Sequence, residues 1–97
     1  MSQRIKRHYD AVAQLGCVAC FKDGITNPGV HLHHIAGRKR GHEIEVIPLC
    51  PAHHMGGANE ALPSVHGRKK EFKERYGTEA ELLEVVERSV EAGHWVI

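Results

Sequence analysis

A small α+β domain is the fold class the sequence predicts, with one helix at its N-terminus, two short strands in the middle and two helices at its C-terminus. Three observations carry that reading. Apolar residues recur at helical spacing over residues 2–15 and again after residue 64. Two short runs, VHLHHI and HEIEVI, flank the basic loop GRKRG and have the length of strands. Three cysteines surround this middle region, and seven of the nine histidines fall between His31 and His66, far denser than solvated surface histidines need to be.

The elements follow in order. Over residues 2–15, Ile5, Tyr9, Val12 and Leu15 form one stripe behind a Ser2 cap, with Gly16 as a stop signal, so this is a packing helix. CVAC then reads as a turn and FKDGITNPGV as a surface loop, because its Gly, Asn and Pro residues break regular structure. The two strands come next. SVHGRKKEFKERYG predicts a helix over 65–76, capped by Ser64 and burying Val65, Phe72 and Tyr76. TEAELLEVVERSVEAG predicts a second, opened by the capping box of Thr78 and Glu81, carrying the apolar residues Leu82, Leu83, Val85, Val86 and Val90, and ending at Gly93. HWVI is either a further strand or a packed tail. The whole, residues 1–97, reads as one domain: an N-terminal helix over 1–16, a metal-bearing core over 17–66, and C-terminal helices and tail over 67–97.

At 97 residues, folding buries only roughly 60–65 % of the unfolded surface, so a metal clamp would help a thin core. No apolar run reaches the ~18 residues of a membrane span, and MSQRIKRHYD lacks the apolar stretch of a secretion signal. The expected setting is a reducing cytoplasm with no membrane partner, where three cysteines are poor material for disulfides. Charge is balanced, 13 Lys+Arg against 12 Asp+Glu. Basic residues nevertheless cluster in RIKR, GRKR and GRKK, and the last two runs supply Arg38, Lys39, Arg40, Arg68, Lys69 and Lys70 as residues able to neutralise phosphates. The competing reading, simple solvated surface, applies to every such run.

Cysteine and histidine spacing gives the sharpest chemistry. Cys17-x-x-Cys20 and Cys50-x-x-His53 are two knuckles, each able to place two ligands on one side of a tetrahedral zinc, and together they close a loop of about 30 residues. A redox dithiol is the rival for an isolated CxxC, but no thioredoxin-like βαβ pattern surrounds it. His54 follows His53, and neighbours on a helix differ by about 100° in direction, so the pair points to two sites. His33 and His34 lie on a strand and face opposite ways. One of them can therefore hold a metal while the other meets substrate, and a free imidazole suits proton abstraction in a way that a coordinated one does not. His33 is assigned as ligand and His34 as base. His66 is the best third ligand for a second ion, with helix capping or packing as its alternative. His31 shares His33's face and stands in reserve, as a supporting hydrogen-bond partner or a replacement ligand. His42 is either a phosphate contact or an exposed loop residue, and His8 and His94 have no assigned role.

The order CxxC, HHI, hairpin, PLCPAHH and helix resembles the HNH endonucleases, whose fold is the ββα-metal or His-Me finger. HLHHIAG, PLCPAHH and the run VHGRKKEFKERYGTEAELL are further similar to the nuclease domain of phage recombination-enhancement proteins of the Ref type, which cut DNA with RecA. The resemblance spans Cys17 to Val86. It implies a zinc-stabilised ββα-metal core in a metal-dependent DNA endonuclease, with DNA and a RecA filament as partners in a bacterial host cell. It also implies His54 as a ligand of the catalytic ion, alongside His33 and His66, with His34 as general base and products bearing 5′-phosphate and 3′-hydroxyl ends. The catalytic ion is open among Mg²⁺, Mn²⁺, Ni²⁺ and Zn²⁺. HNH motifs place an Asn four residues before the LC knuckle, where this chain has Glu45. Glu45 is assigned to the catalytic set as the group that could accept a hydrogen bond from His34. The rival from another class is a non-catalytic zinc module that binds DNA or a protein, which explains the knuckles but gives His33, His34, His54 and His66 no joint purpose.

Overall fold

Local signals start and stop the first helix. In the computed structural model, which describes residues 2–37, 39–56 and 63–96, the Ser2 hydroxyl accepts from the Ile5 N–H at 3.2 Å and opens α1 (Gln3–Leu15). Gly16 closes it at φ +84°, a conformation that favours glycine. Space demands glycine there as well, since a Cβ would sit 2.9 Å from the Asn27 carbonyl oxygen. The CVAC turn is in fact the start of a short helix, α2 (Val18–Lys22), because the Cys17 sulfur accepts from the Cys20 N–H and acts as its N-cap.

The strands are β1 (His31–His34) and β2 (Val46–Leu49), paired antiparallel with His31 opposite Leu49 and His34 opposite Val46. The second strand therefore starts later than HEIEVI suggested. Residues 42–45 instead fold on themselves, with the Glu45 N–H donating to the His42 carbonyl and the Glu45 carbonyl accepting from Ile35. β2 leads directly into α3 (Pro51–His54), where Pro51 occupies a first-turn position that needs no amide donor.

The helix expected over 65–76 is shorter, α4 (Lys69–Tyr76). Ser64 does cap, but it caps a single turn: its hydroxyl accepts from the Gly67 N–H at 2.9 Å, and Arg68 at φ −136° interrupts the helix path. The turn's other amides are taken by α3, Val65 donating to the His53 carbonyl and His66 to that of His54. α5 (Glu79–Ala92) has both halves of the Thr78/Glu81 capping box and ends at Gly93. Of HWVI, the described residues 94–96 form no strand: the Trp95 indole donates to the Leu15 carbonyl at 2.7 Å, tying this segment to α1.

One apolar cluster joins these pieces. Val12 of α1, Val18 and Ala19 of α2, Val46, Ile47 and Leu49 of β2, Phe72 and Tyr76 of α4, and Leu82 and Val86 of α5 are buried together. Each large aliphatic or aromatic among them contributes about 1.5–3 kcal/mol by leaving water. β2 is the common floor, buried at all four positions, so α1, α2 and α5 all pack against the strand that delivers Cys50. Among the described residues no helix is long and apolar enough to cross a membrane.

Candidate metal centres

The first centre lies inside this core. Cys17 caps α2, Cys20 lies within it, Cys50 caps α3 and His53 lies one turn on, so two helix starts aim four donor atoms at one point. A zinc ion bonded at ~2.3 Å to sulfur and ~2.0–2.1 Å to nitrogen needs tetrahedral edges of about 3.8 Å between sulfurs and about 3.5 Å between sulfur and nitrogen. Cys20 Sγ is 3.8 Å from Cys50 Sγ. His53 Nδ1 stands 3.6, 3.5 and 3.1 Å from the sulfurs of Cys17, Cys20 and Cys50. The buried Cys3His set fits a structural metal such as zinc.

Hydrogen bonds outside the four donors fix the tautomer of His53. The Tyr76 hydroxyl donates its one proton to Asp23 Oδ2 at 2.6 Å, so at 2.9 Å from His53 Nε2 it must accept. Nε2 thus carries the ring proton and Nδ1 keeps the lone pair that faces the sulfurs. Arg75 donates to the same Asp23 oxygen, Oδ2, at 3.2 Å. The Asn27 amide and the Cys20 N–H donate to the sulfurs of Cys20 and Cys17. Burial pushes the Cys17 thiol up to about 12 and raises Cys20 as well, and it lowers His53. Neutral thiols are therefore favoured until a cation displaces their protons.

The second centre is nearer the surface. His33 of β1, His54 of α3 and His66 of the turn before α4 converge, each offering one ring nitrogen within 4.8 Å of the others. The hydrogen bonds donated by the N–H groups of residues 65 and 66 to the carbonyls of α3 are what carry His66 to His54. His33 Nε2 bonds Glu79 Oε1 at 3.0 Å, which leaves Nδ1 as the nitrogen it could offer to an ion. His54 Nδ1 meets His31 Nδ1 at 3.0 Å, which leaves Nε2. His31 is thus a supporting partner, outside the three-histidine group. Burial first, then the neighbouring His33, His66 and His31, lowers His54 to about 4. Its ring is neutral near pH 7, with a lone pair ready for a cation.

His34 points to the other face of β1, as strand alternation requires, and its Nε2 lies 3.1 Å from the Tyr9 hydroxyl. The Glu45 carboxylate has a partner that the sequence did not suggest, His42 Nδ1 at 3.0 Å. Lys39, Arg40, Arg68, Lys69 and Lys70 are exposed, and Arg38 lies outside the described residues. Lys69 also lines a cavity of about 260 Å³ with Val65, Phe72, Lys73, Gly77, Thr78 and Glu79, the last being the residue whose carboxylate holds His33.

Sequence reading missed Tyr9, Asp23, Tyr76 and Glu79 as supports. Tyr9 and Tyr76 sit on apolar stripes that read as core, and Glu79 follows a helix cap where an acidic residue is ordinary. Only contacts across more than 20 residues of sequence reveal their second task. Residues 2–91 match the family model described as recombination enhancement, RecA-dependent nuclease.

Proposed function

We propose that this chain, which belongs to the RecA-dependent nucleases of recombination enhancement, is an HNH endonuclease of ββα-metal architecture that hydrolyses DNA phosphodiester bonds. The observation that carries the reading is the division of labour on β1. His33 turns toward His54 and His66, while His34, the next residue, turns away from them with its ring held by Tyr9.

His34 takes a proton from water, and the resulting hydroxide attacks phosphorus in line. The bond from phosphorus to the 3′ oxygen breaks, and that oxygen takes a proton from solvent, giving 5′-phosphate and 3′-hydroxyl ends. A divalent ion held by His33, His54 and His66 would supply Lewis-acid stabilisation of the charge that builds on phosphate and leaving group. Lys39, Arg40, Arg68, Lys69 and Lys70 pair with flanking phosphates and position the strand without reading its sequence. Glu45, bonded to His42, supports the loop behind the base. The substrate is DNA engaged by a RecA filament, in the cytoplasm of a bacterial host.

A nicking assay on circular DNA, bare and RecA-coated, with Mg²⁺, Mn²⁺, Ni²⁺ or Zn²⁺ tests this. His34→Ala should lose on the order of 10²–10⁴-fold in rate at unchanged zinc content. Cleavage equal to the parent would remove His34 as base, and a parent inactive under every condition would favour a non-catalytic zinc module.

A further inference from the structure

We infer that Tyr9 is a positioning residue for His34, fixing the imidazole with its proton on Nε2 and its lone pair on Nδ1; the inference rests on the nuclease reading only in giving that lone pair a reaction to perform. The argument is one of proton count. A phenol has a single hydrogen, and the Tyr9 hydroxyl lies 2.8 Å from the Glu43 backbone carbonyl oxygen and 3.1 Å from His34 Nε2. A carbonyl oxygen has no proton to give, so the hydroxyl hydrogen must lie between Tyr9 and Glu43. The contact with His34 then holds only if Nε2–H donates to the phenol oxygen. A neutral imidazole protonated at Nε2 carries its lone pair at Nδ1, which makes Nδ1 the atom that receives the proton from water.

The surrounding geometry stiffens this arrangement. The two rings meet edge to face, with centroids 5.8 Å apart and planes at 88°, which restricts rotation of the imidazole about its Cβ–Cγ bond. His8, the neighbour of Tyr9 on α1, bonds the Ile44 carbonyl at 2.9 Å. Two consecutive residues of α1 therefore clasp two consecutive carbonyls of the segment that precedes β2. The N-terminal helix, which packs on both strands, is in this way the support behind the base, and its register, set by the Ser2 cap, places the phenol.

Tyr9→Phe keeps the ring and removes the hydroxyl. In zinc-loaded protein, long-range ¹H–¹⁵N correlation of the His34 ring should show the Nε2–H tautomer in the parent and a mixture of tautomers in Tyr9→Phe. With DNA, kcat should fall on the order of 10–100-fold, as for other partners that orient a functional histidine, while KM and zinc content stay the same. A parent ring protonated at Nδ1, or a Tyr9→Phe protein with the parent's tautomer and kcat, would overturn the inference. The spectrum needs no DNA, so a failure of the nuclease reading appears as absent cleavage in the parent and is told apart from a failure of the Tyr9 assignment.

Discussion

The two candidate metal centres share helix α3, yet burial acts in opposite senses on the Cys17 and Cys20 thiols of the first and on His54 of the second. In the Cys3His centre all four residues are buried, and burial drives the Cys17 thiol up to about 12, toward a protonated form that cannot ligate. In the three-histidine centre burial drives His54 down to about 4, toward the neutral ring that can. Low dielectric favours the uncharged form in both cases. For a thiol that form holds a proton which a metal must expel, and for an imidazole it offers a lone pair at no such cost. Metal entry at the first centre is thereby coupled to thiol deprotonation and to the packing around it, whereas His54 needs no deprotonation to offer a lone pair.

The largest effect expected from breaking this contrast is that of Cys50→Ala. Three ligands remain around a buried charge, the N-cap of α3 changes, and His54 on the same helix loses its support. Zinc content should fall from one per chain to none, with loss of the cooperative thermal transition and of any nicking activity. Metal analysis and calorimetry check it, and retained zinc would remove Cys50 from the ligand set.

A smaller effect separates the centres. His54→Ala removes one donor of the three-histidine cluster and touches none of the four buried residues of the Cys3His set. The protein should keep its one tight zinc and unfold within about 1 kcal/mol of the parent, as is usual away from packed or unpaired buried groups. It should lose the second equivalent in a Mn²⁺ or Zn²⁺ titration, together with cleavage. Loss of the tight zinc as well would mean that the two centres are one cooperative unit.

Legibility in the sequence differed between the centres for the same physical reason. The knuckles are local: i,i+3 spacing and helix caps settle where Cys17, Cys20, Cys50 and His53 point, and the caps at Ser2 and Thr78 are equally short-range. The orientation of the second centre is not local. His66 was read as part of a helix over 65–76, but it lies in a turn, because the amides of residues 65 and 66 find the carbonyls of α3 and Ser64 spends its hydroxyl on Gly67. Glu45 looked like a partner for His34 because it stands where HNH motifs carry Asn, while its carboxylate meets His42 across three residues. Tyr9 reaches His34 across 25 residues and Glu79 reaches His33 across 46, distances over which apolar periodicity says only that a residue is inside.

That long-range dependence gives the mildest and most selective test. Thr78 caps α5, and the next residue, Glu79, holds His33 Nε2. Thr78→Ala should cost about 1 kcal/mol, lowering the melting temperature by ~4–8 °C for a domain of this size. It should also loosen the first turn that carries Glu79, so that the second ion binds more weakly while zinc in the Cys3His centre is unchanged. Adding Glu79→Gln to the same background removes the carboxylate but keeps an acceptor for the ring N–H. If the cap acts through Glu79, the double variant should weaken the second ion by less than the sum of the two single effects, because both act on one contact. Strict additivity would assign the loss to α5 stability alone and free His33 from dependence on its helix partner.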